Sequence, residues 1–250
     1  MPLQALSGVD IALWDIAGKV AGLPLHALIG GKHRADVPCY GYGMMLRREP
    51  VAELAARFED EAREIRDAGF TATKMKIGLG PRDDVKLAEA VRRGVGEDFR
   101  FMAAANHAYT TSGAFYVGRA LGERGAYWFE EPVAPEEHDG YRELRAGLDV
   151  NISGGEAEFS RWGWRSLLES RGRDIAQPEV CALGGVSEYL RVLALCHARR
   201  QSRLGLGHRR GLQSSASGRA AAATGRAPPL GAQARIRHHR DPKPPQKPNH

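Results

Sequence analysis

The amino-acid sequence predicts an α/β fold, and within it a partial (β/α)8 barrel of the TIM type with about six βα units. The first observation behind this prediction is an alternation. Between residues 51 and 198, stretches with helical spacing of apolar residues alternate with short apolar stretches, which indicates parallel strands joined by crossover helices. The second observation is that a polar residue ends or follows each of several successive strands. These residues are Lys76, Asn106, Glu130, Glu156 and Glu179.

The places of those polar residues decide between two architectures that the alternation alone leaves open. An open doubly wound sheet gathers its polar groups at one switch point. A barrel builds its active site from the carboxyl ends of several consecutive strands. The distribution along this chain therefore favours the barrel.

The first element in chain order is a helix over residues 8–21. Ser7 followed by Asp10 resembles a capping box at its start, and Gly22 and Pro24 end it. One apolar stripe at helical spacing runs along it, formed by Val9, Leu13, Ile16 and Val20.

Strands and helices then alternate. Residues 37–45 are predicted to form a strand, and residues 51–68 an amphipathic helix with Gly69 as its C-cap. The strand from Thr71 to Gly78 follows. The other predicted strands are 99–105, 126–130, 149–153 and 174–178, and the other predicted helices are 83–95, 112–124, 136–147, 160–171 and 186–199.

Two lysines on the strand after Gly69 are candidates for catalysis. Successive side chains of a strand point to opposite faces, so Lys74 and Lys76 share one face, about 7 Å apart. Each ammonium group raises the cost of protonating the other, and a lysine with a lowered pKa is a usable base near neutral pH. Two solvated lysines on a surface strand are the alternative that the spacing leaves open.

Carboxylates stand at the ends of two neighbouring predicted strands. Glu130 lies in a Trp-Phe-Glu-Glu-Pro stretch, and Glu156 ends a Ser-Gly-Gly-Glu stretch. Taken singly, each is better explained as an ordinary loop acid. Carboxylates that converge at one barrel mouth are what a hard divalent cation such as Mg²⁺ takes as ligands.

The net positive charge of the chain comes entirely from its last segment. The formal net charge is +6, but residues 199–250 contain ten Arg and two Lys against Asp241 alone, so the preceding 198 residues carry −5. This segment has no aromatic residue for base stacking, so we expect no specific nucleic-acid binding. Its Arg, Gly, Ala, Ser and Pro bias predicts a disordered tail, or one that is read out of frame.

Cysteine content and hydropathy bear on the compartment. The chain has three cysteines at no metal-ligand spacing, which suits reduced thiols, and it contains neither an apolar run of membrane-spanning length nor an apolar leader. We therefore expect a cytoplasmic protein with no membrane partner.

An ordered set of motifs resembles the enolase superfamily, in particular its mandelate racemase and muconate lactonizing enzyme group and the acid-sugar dehydratases within it. The set covers residues 5–198. Its members are Ser7 to Asp15, Lys74-Met75-Lys76, Ala105 to Thr110, Trp128 to Val133, Gly154-Gly155-Glu156, Asp174 to Glu179, and Gly184-Gly185.

The resemblance implies a barrel enzyme, a lyase or an isomerase, that removes the proton α to a carboxylate while Mg²⁺ stabilises the enediolate. Lys76 would be the base and Lys74 would lower its pKa. Glu130 and Glu156 would be metal ligands, and Asn106 would contact the substrate. The implied substrate is a small acid sugar or another carboxylate, and a homo-oligomer is left open.

Three departures from the family pattern change these expectations. Ala104 stands where the family has its first aspartate ligand, so we expect Mg²⁺ binding to be weakened or absent. Glu179 replaces the aspartate that orients a catalytic histidine. That histidine belongs about one βα unit later, in a stretch, 203–210, where the sequence indicates no strand. His208 is the candidate there, and a solvated histidine among arginines and glycines is the alternative.

We divide the chain into three parts. Residues 1–35 would be the junction from a capping domain, itself missing, to the barrel; residues 36–198 the partial barrel; and residues 199–250 the basic tail. The expected activity is Mg²⁺-dependent α-proton abstraction, impaired by these departures. The alternative is a catalytically inactive remnant or binding protein of the same fold.

Overall fold

The computed structural model describes residues 2–31, 36–199 and 208–210, with side chains from residue 3 to residue 199 of those ranges. Seven parallel strands form one sheet, and helices connect the first six of them. The strands are β1 (Tyr40–Tyr42), β2 (Ala72–Lys76), β3 (Arg100–Ala104), β4 (Trp128–Glu130), β5 (Asn151–Gly154), β6 (Ile175–Ala176) and β7 (His208–Arg210). The helices are α1 (Pro2–Ala21), α2 (Leu25–Leu28), α3 (Val51–Asp67), α4 (Pro81–Val95), α5 (Thr111–Glu123), α6 (His138–Gly147), α7 (Ser160–Ser170), α8 (Val180–Leu183) and α9 (Gly185–Ala198).

The strand order confirms the predicted α/β class and the partial barrel. Neighbours along the sheet run β6, β5, β4, β3, β2, β1, β7. Each of β1 to β6 is followed by a helix, so six βα units are present. Consecutive strands pair in parallel, as crossover helices of this kind require.

The last strand corrects one prediction. The sequence indicates no strand in the stretch 203–210, but β7 pairs with β1, where His208 lies opposite Tyr40. A three-residue strand at a sheet end is held by backbone hydrogen bonds, which leave no hydrophobic pattern to read. Other expectations for residues 200–250 concern positions outside the described part of the chain.

Alternating side chains of the strands separate two packed layers. Met75 on β2 and Ile77 directly after it face outward into the main core, which they share with Leu54, Phe58 and other apolar residues of the helices. Full burial of a side chain such as Phe58 stabilises the fold by roughly 1.5–3 kcal/mol. A second, inner layer lies on the opposite face of the sheet, and it contains Tyr40, Ala72, Met102, Trp128 and Ile175.

The first helix begins earlier than the sequence predicts. It starts at Pro2, which is tolerated in a first helical turn, and Ser7 lies within it rather than at a capping box. The fully buried Ser7 hydroxyl donates a hydrogen bond to the Leu3 carbonyl at 2.9 Å and accepts one from the Gly184 amide at 3.0 Å. A serine suits both a helix N-cap and a hydrogen-bonding position within a helix, and only the contact with Gly184 shows that Ser7 has the second role.

The apolar stripe of α1 is present, but it faces outward in the described structure. Val9, Leu13, Ile16 and Val20 are between 56% and 84% exposed. The packed face of the helix is instead the polar one. There Asp10 accepts a hydrogen bond from the Ser187 amide, and the Trp14 indole donates one to the Ser187 hydroxyl. No helix among the described residues is both long enough and apolar enough to cross a membrane.

Candidate active site

The candidate site is built on one row of residues that crosses the middle of the sheet. Lys76 on β2 pairs with Ala104 on β3, Ala104 pairs with Glu130 on β4, and Glu130 pairs with Ser153 on β5. Residues in register on neighbouring strands project from the same face. Lys74 lies on that face two residues before Lys76, as the spacing predicts.

Lys76 has the surroundings of a base. Its Nζ donates a hydrogen bond to the Asn106 Oδ1 at 2.6 Å. Burial lowers the pKa of the Lys76 ammonium, and the positive charge of Lys74 lowers it further, while the nearby glutamates act in the opposite direction. The predicted effect of one lysine on the other is therefore present, although it is the smaller of the two causes.

Lys74 makes a different set of contacts. It is 7% exposed, and its Nζ lies 2.6 Å from the Glu130 Oε1. The same nitrogen is 5.7 Å from the ring centres of both Tyr40 and Tyr42, within the range of cation–π attraction. Buried lysines are rare unless they are paired, so Lys74 is an ion-pair partner rather than a solvated lysine.

Glu130 is surrounded by hydrogen-bond donors of the protein. Besides Lys74, its carboxylate accepts hydrogen bonds from the Trp128 indole at 3.0 Å and from the Gln177 side-chain amide at 2.9 Å, both at Oε2. The residue is 2% exposed. Both carboxylate oxygens are thus occupied by groups of the chain itself, which satisfies a buried charge that would otherwise be costly.

These residues do not fit a three-carboxylate magnesium site. Ala104, which the family resemblance places at the first ligand position, is fully buried beside Glu130 and offers no oxygen from its side chain. Glu156, the other predicted ligand, is exposed. Among the residues that the structure describes, no cluster of three or more His, Cys, Asp or Glu is arranged to hold a metal ion.

Glu179 is not brought into this network. The exposed Glu179 carboxylate accepts a hydrogen bond from the Cys181 amide at 2.9 Å and so caps the N-terminus of α8. His208 belongs to β7 at one end of the sheet, whereas β6 forms the other end. Their roles as a dyad therefore stay predictions.

Glu131 and His107, to which the sequence interpretation gave no role, complete the site. Glu131 is 1% exposed, its Oε2 accepts a hydrogen bond from the Asn106 Nδ2 at 3.3 Å, and it lies 3.6 Å from the His107 Nε2. Burial, followed by the charges of Glu156 and Glu130, raises the pKa of Glu131 to about 7. Glu131 thereby fixes the side-chain amide of Asn106, whose oxygen faces Lys76.

The backbone marks the same three residues. Asn106, His107 and Glu131 have positive φ angles of 47°, 67° and 46°, a conformation that costs free energy for side chains such as His and Glu. Strain of this kind persists where the surrounding contacts hold it, and it is found most often at functional sites. The sequence signal for Glu131 and His107 is their position beside predicted site residues, since Glu131 follows Glu130 and His107 follows Asn106.

A buried aspartate braces the loop that follows β2. The Asp84 carboxylate accepts hydrogen bonds from the backbone amides of Gly78, Leu79 and Gly80 at 2.8 to 3.2 Å. It also accepts one from the Tyr109 hydroxyl at 2.7 Å. Burial raises the pKa of Tyr109, with the Asp84 charge as the next cause, so this hydroxyl stays protonated and keeps donating. The brace connects the loop after Lys76 to the loop after Asn106.

Fold and site together define a class of protein: a parallel (β/α) barrel that carries a lysine pair and glutamates at the carboxyl ends of its strands. Comparison with known proteins gives the family. The enolase C-terminal domain-like family matches residues 57–246, and the N-terminal domain of the mandelate racemase and muconate lactonizing enzyme family matches residues 2–30. The chain belongs to the enolase superfamily, in its mandelate racemase and muconate lactonizing enzyme group, which confirms the resemblance of the motifs.

Several relatives have assigned activities. D-galactarolactone cycloisomerase of Agrobacterium fabrum is 41% identical over 195 residues, which is 78% of this chain and 51% of that protein. Arabinonate dehydratase of Saccharolobus solfataricus is 35% identical, over 76% of this chain and 50% of that protein. L-talarate/galactarate dehydratase of Salmonella typhimurium is 32% identical, over 78% of this chain and 48% of that protein. The chain thus spans about half the length of these relatives.

Solved structures agree with this assignment. The 3,6-anhydro-D-galactonate cycloisomerase from Zobellia galactanivorans superposes with a TM-score of 0.75 at 38% identity, and the match covers 81% of this chain and 55% of that one. A racemase from Streptomyces coelicolor A3(2) with bound magnesium superposes with a TM-score of 0.70 at 33% identity, over 79% of this chain and 58% of that one. The family therefore includes members that bind magnesium.

Proposed function

We propose that the site of this chain removes the proton α to the carboxylate of a small acid sugar, with Lys76 as the base, at a rate that its departures from the family reduce. The observation that carries the proposal is the contact of Lys76 with Asn106 at 2.6 Å in a partly buried site. The lowered pKa of Lys76 leaves more of the neutral amine near neutral pH than an ordinary lysine has.

In the proposed reaction the neutral Lys76 amine takes the α-proton, and the electron pair of the broken C–H bond moves into the substrate carboxylate. Asn106 orients the Nζ of Lys76, and Glu131 in turn orients the amide of Asn106. In family members with bound magnesium, that ion would supply the positive charge that stabilises the developing enediolate. In this chain the proposed magnesium site is weakened or absent, so the barrier stays high and turnover is slow.

The substrate class rests on the relatives. Their names include galactarolactone, arabinonate, talarate and galactarate, all of them derived from sugar acids. We propose the same class for this chain, without a particular sugar acid. A dehydration and a cycloisomerisation can both begin with the same proton abstraction, so the proposal covers a lyase and an isomerase.

A second candidate function is favoured by Ala104 and by the occupied carboxylate of Glu130. A chain that lacks one ligand and pairs another internally suits a binding protein that retains the family fold without turnover. It would hold an acid-sugar carboxylate near Lys76 and release it unchanged.

Deuterium exchange at the α-carbon separates the two functions. Galactarate and arabinonate are incubated in D₂O with the protein at pD 8, and ¹H NMR follows loss of the α-proton signal. We expect slow exchange that disappears in Lys76→Met. Lys86→Met is the matched control, because Lys86 is exposed and pairs with Asp83 on α4. Binding without exchange would support the binding protein, and exchange that survives Lys76→Met would contradict the proposed base.

The remaining assignments are proposals as well. We propose a cytoplasmic setting, which the free state of Cys39, Cys181 and Cys196 supports. The division into residues 1–35, 36–198 and 199–250 is proposed on the family pattern and on charge. Neither a specific nucleic-acid partner nor a membrane partner is included, and self-association is a matter for measurement.

A further inference from the structure

We infer that the Lys74 ammonium is the permanent counter-ion of Glu130 in this chain, and that it takes the place in which a divalent cation would otherwise bind that carboxylate. The inference concerns the resting site, so it does not depend on turnover. It changes the role of Lys74, which the family resemblance gives only as a neighbour that lowers the pKa of Lys76.

The path of the Lys74 side chain is the first argument. Lys74 stands on β2 and Glu130 on β4, so β3 lies between them. Two strand spacings amount to about 10 Å, which the Lys74 and Glu130 side chains span together to bring the Nζ within 2.6 Å of the Oε1. The β3 residue in register with Glu130 is Ala104. Its methyl group leaves this crossing free, and any larger or charged side chain there would stand beside the pair.

The occupancy of Glu130 is the second argument. One of its oxygens accepts from Lys74, and the other accepts from Trp128 and Gln177. A magnesium ion requires near-octahedral oxygen ligands at about 2.1 Å and usually retains several waters. To bind Glu130 it would have to displace a buried ammonium that the rings of Tyr40 and Tyr42 also attract in its present position.

The energetic argument follows from burial. A carboxylate that is 2% exposed is costly unless a positive charge or strong donors compensate it. With the position of one family ligand taken by Ala104, fewer negative charges remain to attract a divalent ion. The Lys74 ammonium then suffices to compensate the charge of Glu130. Because it belongs to the same chain, it loses no translational freedom on pairing, as a free ion would.

Isothermal titration calorimetry with MgCl₂ tests the inference. The unaltered chain is expected to show no saturable binding up to about 10 mM Mg²⁺, and Lys74→Met to bind at least about tenfold more tightly, because Glu130 then lacks its counter-ion. Lys76→Met is the matched comparison: it removes the same charge on the same face without removing a hydrogen bond to Glu130, so it should tighten Mg²⁺ binding clearly less than Lys74→Met does. Submillimolar binding by the unaltered chain, or equal titrations of the two variants, would overturn the inference.

Two further measurements hold even where Lys74→Met fails to fold. In a thermal melt, the double variant Lys74→Met/Glu130→Gln is expected to recover most of the Tm that Glu130→Gln alone loses, since it leaves no unpaired charge. In the unaltered protein, the ¹⁵N resonance of the Lys74 ammonium should not move on addition of MgCl₂. A melting temperature of the double variant equal to or below that of the single variant, or a shift of that resonance with Mg²⁺, would count against the pairing. Both readouts are independent of α-proton exchange, so failure of the proposed activity stays distinguishable.

Discussion

Lys74 and Lys76 lie on the same face of one strand, two residues apart, and differ in what they contact. Lys74 is buried against Glu130 and two tyrosine rings, whereas Lys76 is less buried and contacts the neutral amide of Asn106. The environment, and not the residue type, therefore separates a structural ammonium from a candidate base. Burial, with the charge of Lys74 as the second cause, lowers the pKa of Lys76.

The pH dependence of stability tests the state of Lys76. Burial lowers the pKa of Lys76 below its ordinary value of 10.5. The unfolded chain then binds more protons than the folded chain between these two pKa values, so the stability of the folded chain rises with pH across that window. Lys76→Met removes this cost. We expect the variant to be more stable than the unaltered chain at pH 7, and the difference to vanish towards pH 10.5, as followed by urea unfolding at several pH values. A difference that does not change with pH would contradict the lowered pKa.

Asp84 is expected to be the most sensitive acidic residue outside the candidate catalytic set. It is 1% exposed and accepts four hydrogen bonds, three of them from backbone amides. Asp84→Asn turns a donor group towards those amides, and we expect a loss of about 2–3 kcal/mol in the free energy of unfolding.

The control for that change is the neighbouring aspartate. The Asp83 side chain is 40% exposed and pairs with Lys86 at the surface, so Asp83→Asn should cost no more than about 1 kcal/mol. Urea unfolding of both variants makes the comparison. Equal losses would show that the buried hydrogen bonds of Asp84 carry no special weight.

At the scale of elements, α1 shows that an apolar stripe need not be the face that packs. Its contacts with α8 and α9 run through polar groups of Ser7, Asp10 and Trp14, while the stripe faces outward. The periodicity is real and predicts a helix correctly. It carries no information on which neighbouring element covers it.

Substitutions on α1 are expected to separate its two faces. Leu13→Gln replaces a side chain that is 60% exposed, so we expect the free energy of unfolding to change by no more than about 0.5 kcal/mol. Ser7→Ala removes a fully buried hydroxyl that accepts from Gly184, and we expect a loss of about 1–3 kcal/mol. Thermal or urea unfolding measures both. A large loss in Leu13→Gln would indicate that the stripe is covered in solution.

At the scale of the whole molecule, the sheet has two ends in the described part of the chain, β6 and β7. Strands at sheet ends present unpaired backbone groups, which invite pairing with other chains unless something covers them. The inner layer next to β1 includes Tyr40, which also flanks Lys74. The pairing of β7 with β1 thus lies close to the candidate site.

Removal of residues 200–250 tests this pairing. The shortened chain would lose β7, and β1 would become an end strand. We expect the amides of Tyr40 to Tyr42 to exchange with deuterium at least about tenfold faster, because local opening becomes easier. The amides of β4 in the middle of the sheet serve as the internal control and should not change. Unaltered exchange at β1 would show that β7 contributes little to the sheet.

Much of the architecture could be predicted from the sequence because it depends on local patterns. Helical periodicity, glycine and proline at segment ends, and the order of apolar stretches predict the six βα units, and strand alternation places Lys74 and Lys76 on one face. The polar residues at strand ends predict the edge of the sheet on which Lys76, Asn106 and Glu130 meet. These relations involve neighbours in the chain or a repeating unit.

The tertiary structure alone decided which groups are paired. Three of these contacts depend on distances between separate parts of the chain: Lys74 with Glu130 across β3, Glu131 with Asn106, and Asp84 with the loop after Lys76. The cap that Glu179 forms on α8 is local, but the sequence does not show that the side chain takes this role. Electrostatic pairing and desolvation fall off steeply with distance and exposure, and a sequence contains neither quantity. Residue identities therefore determined the fold and the inventory of charged groups, while three-dimensional packing determined that Lys76 contacts an amide and that Lys74 is an ion-pair partner.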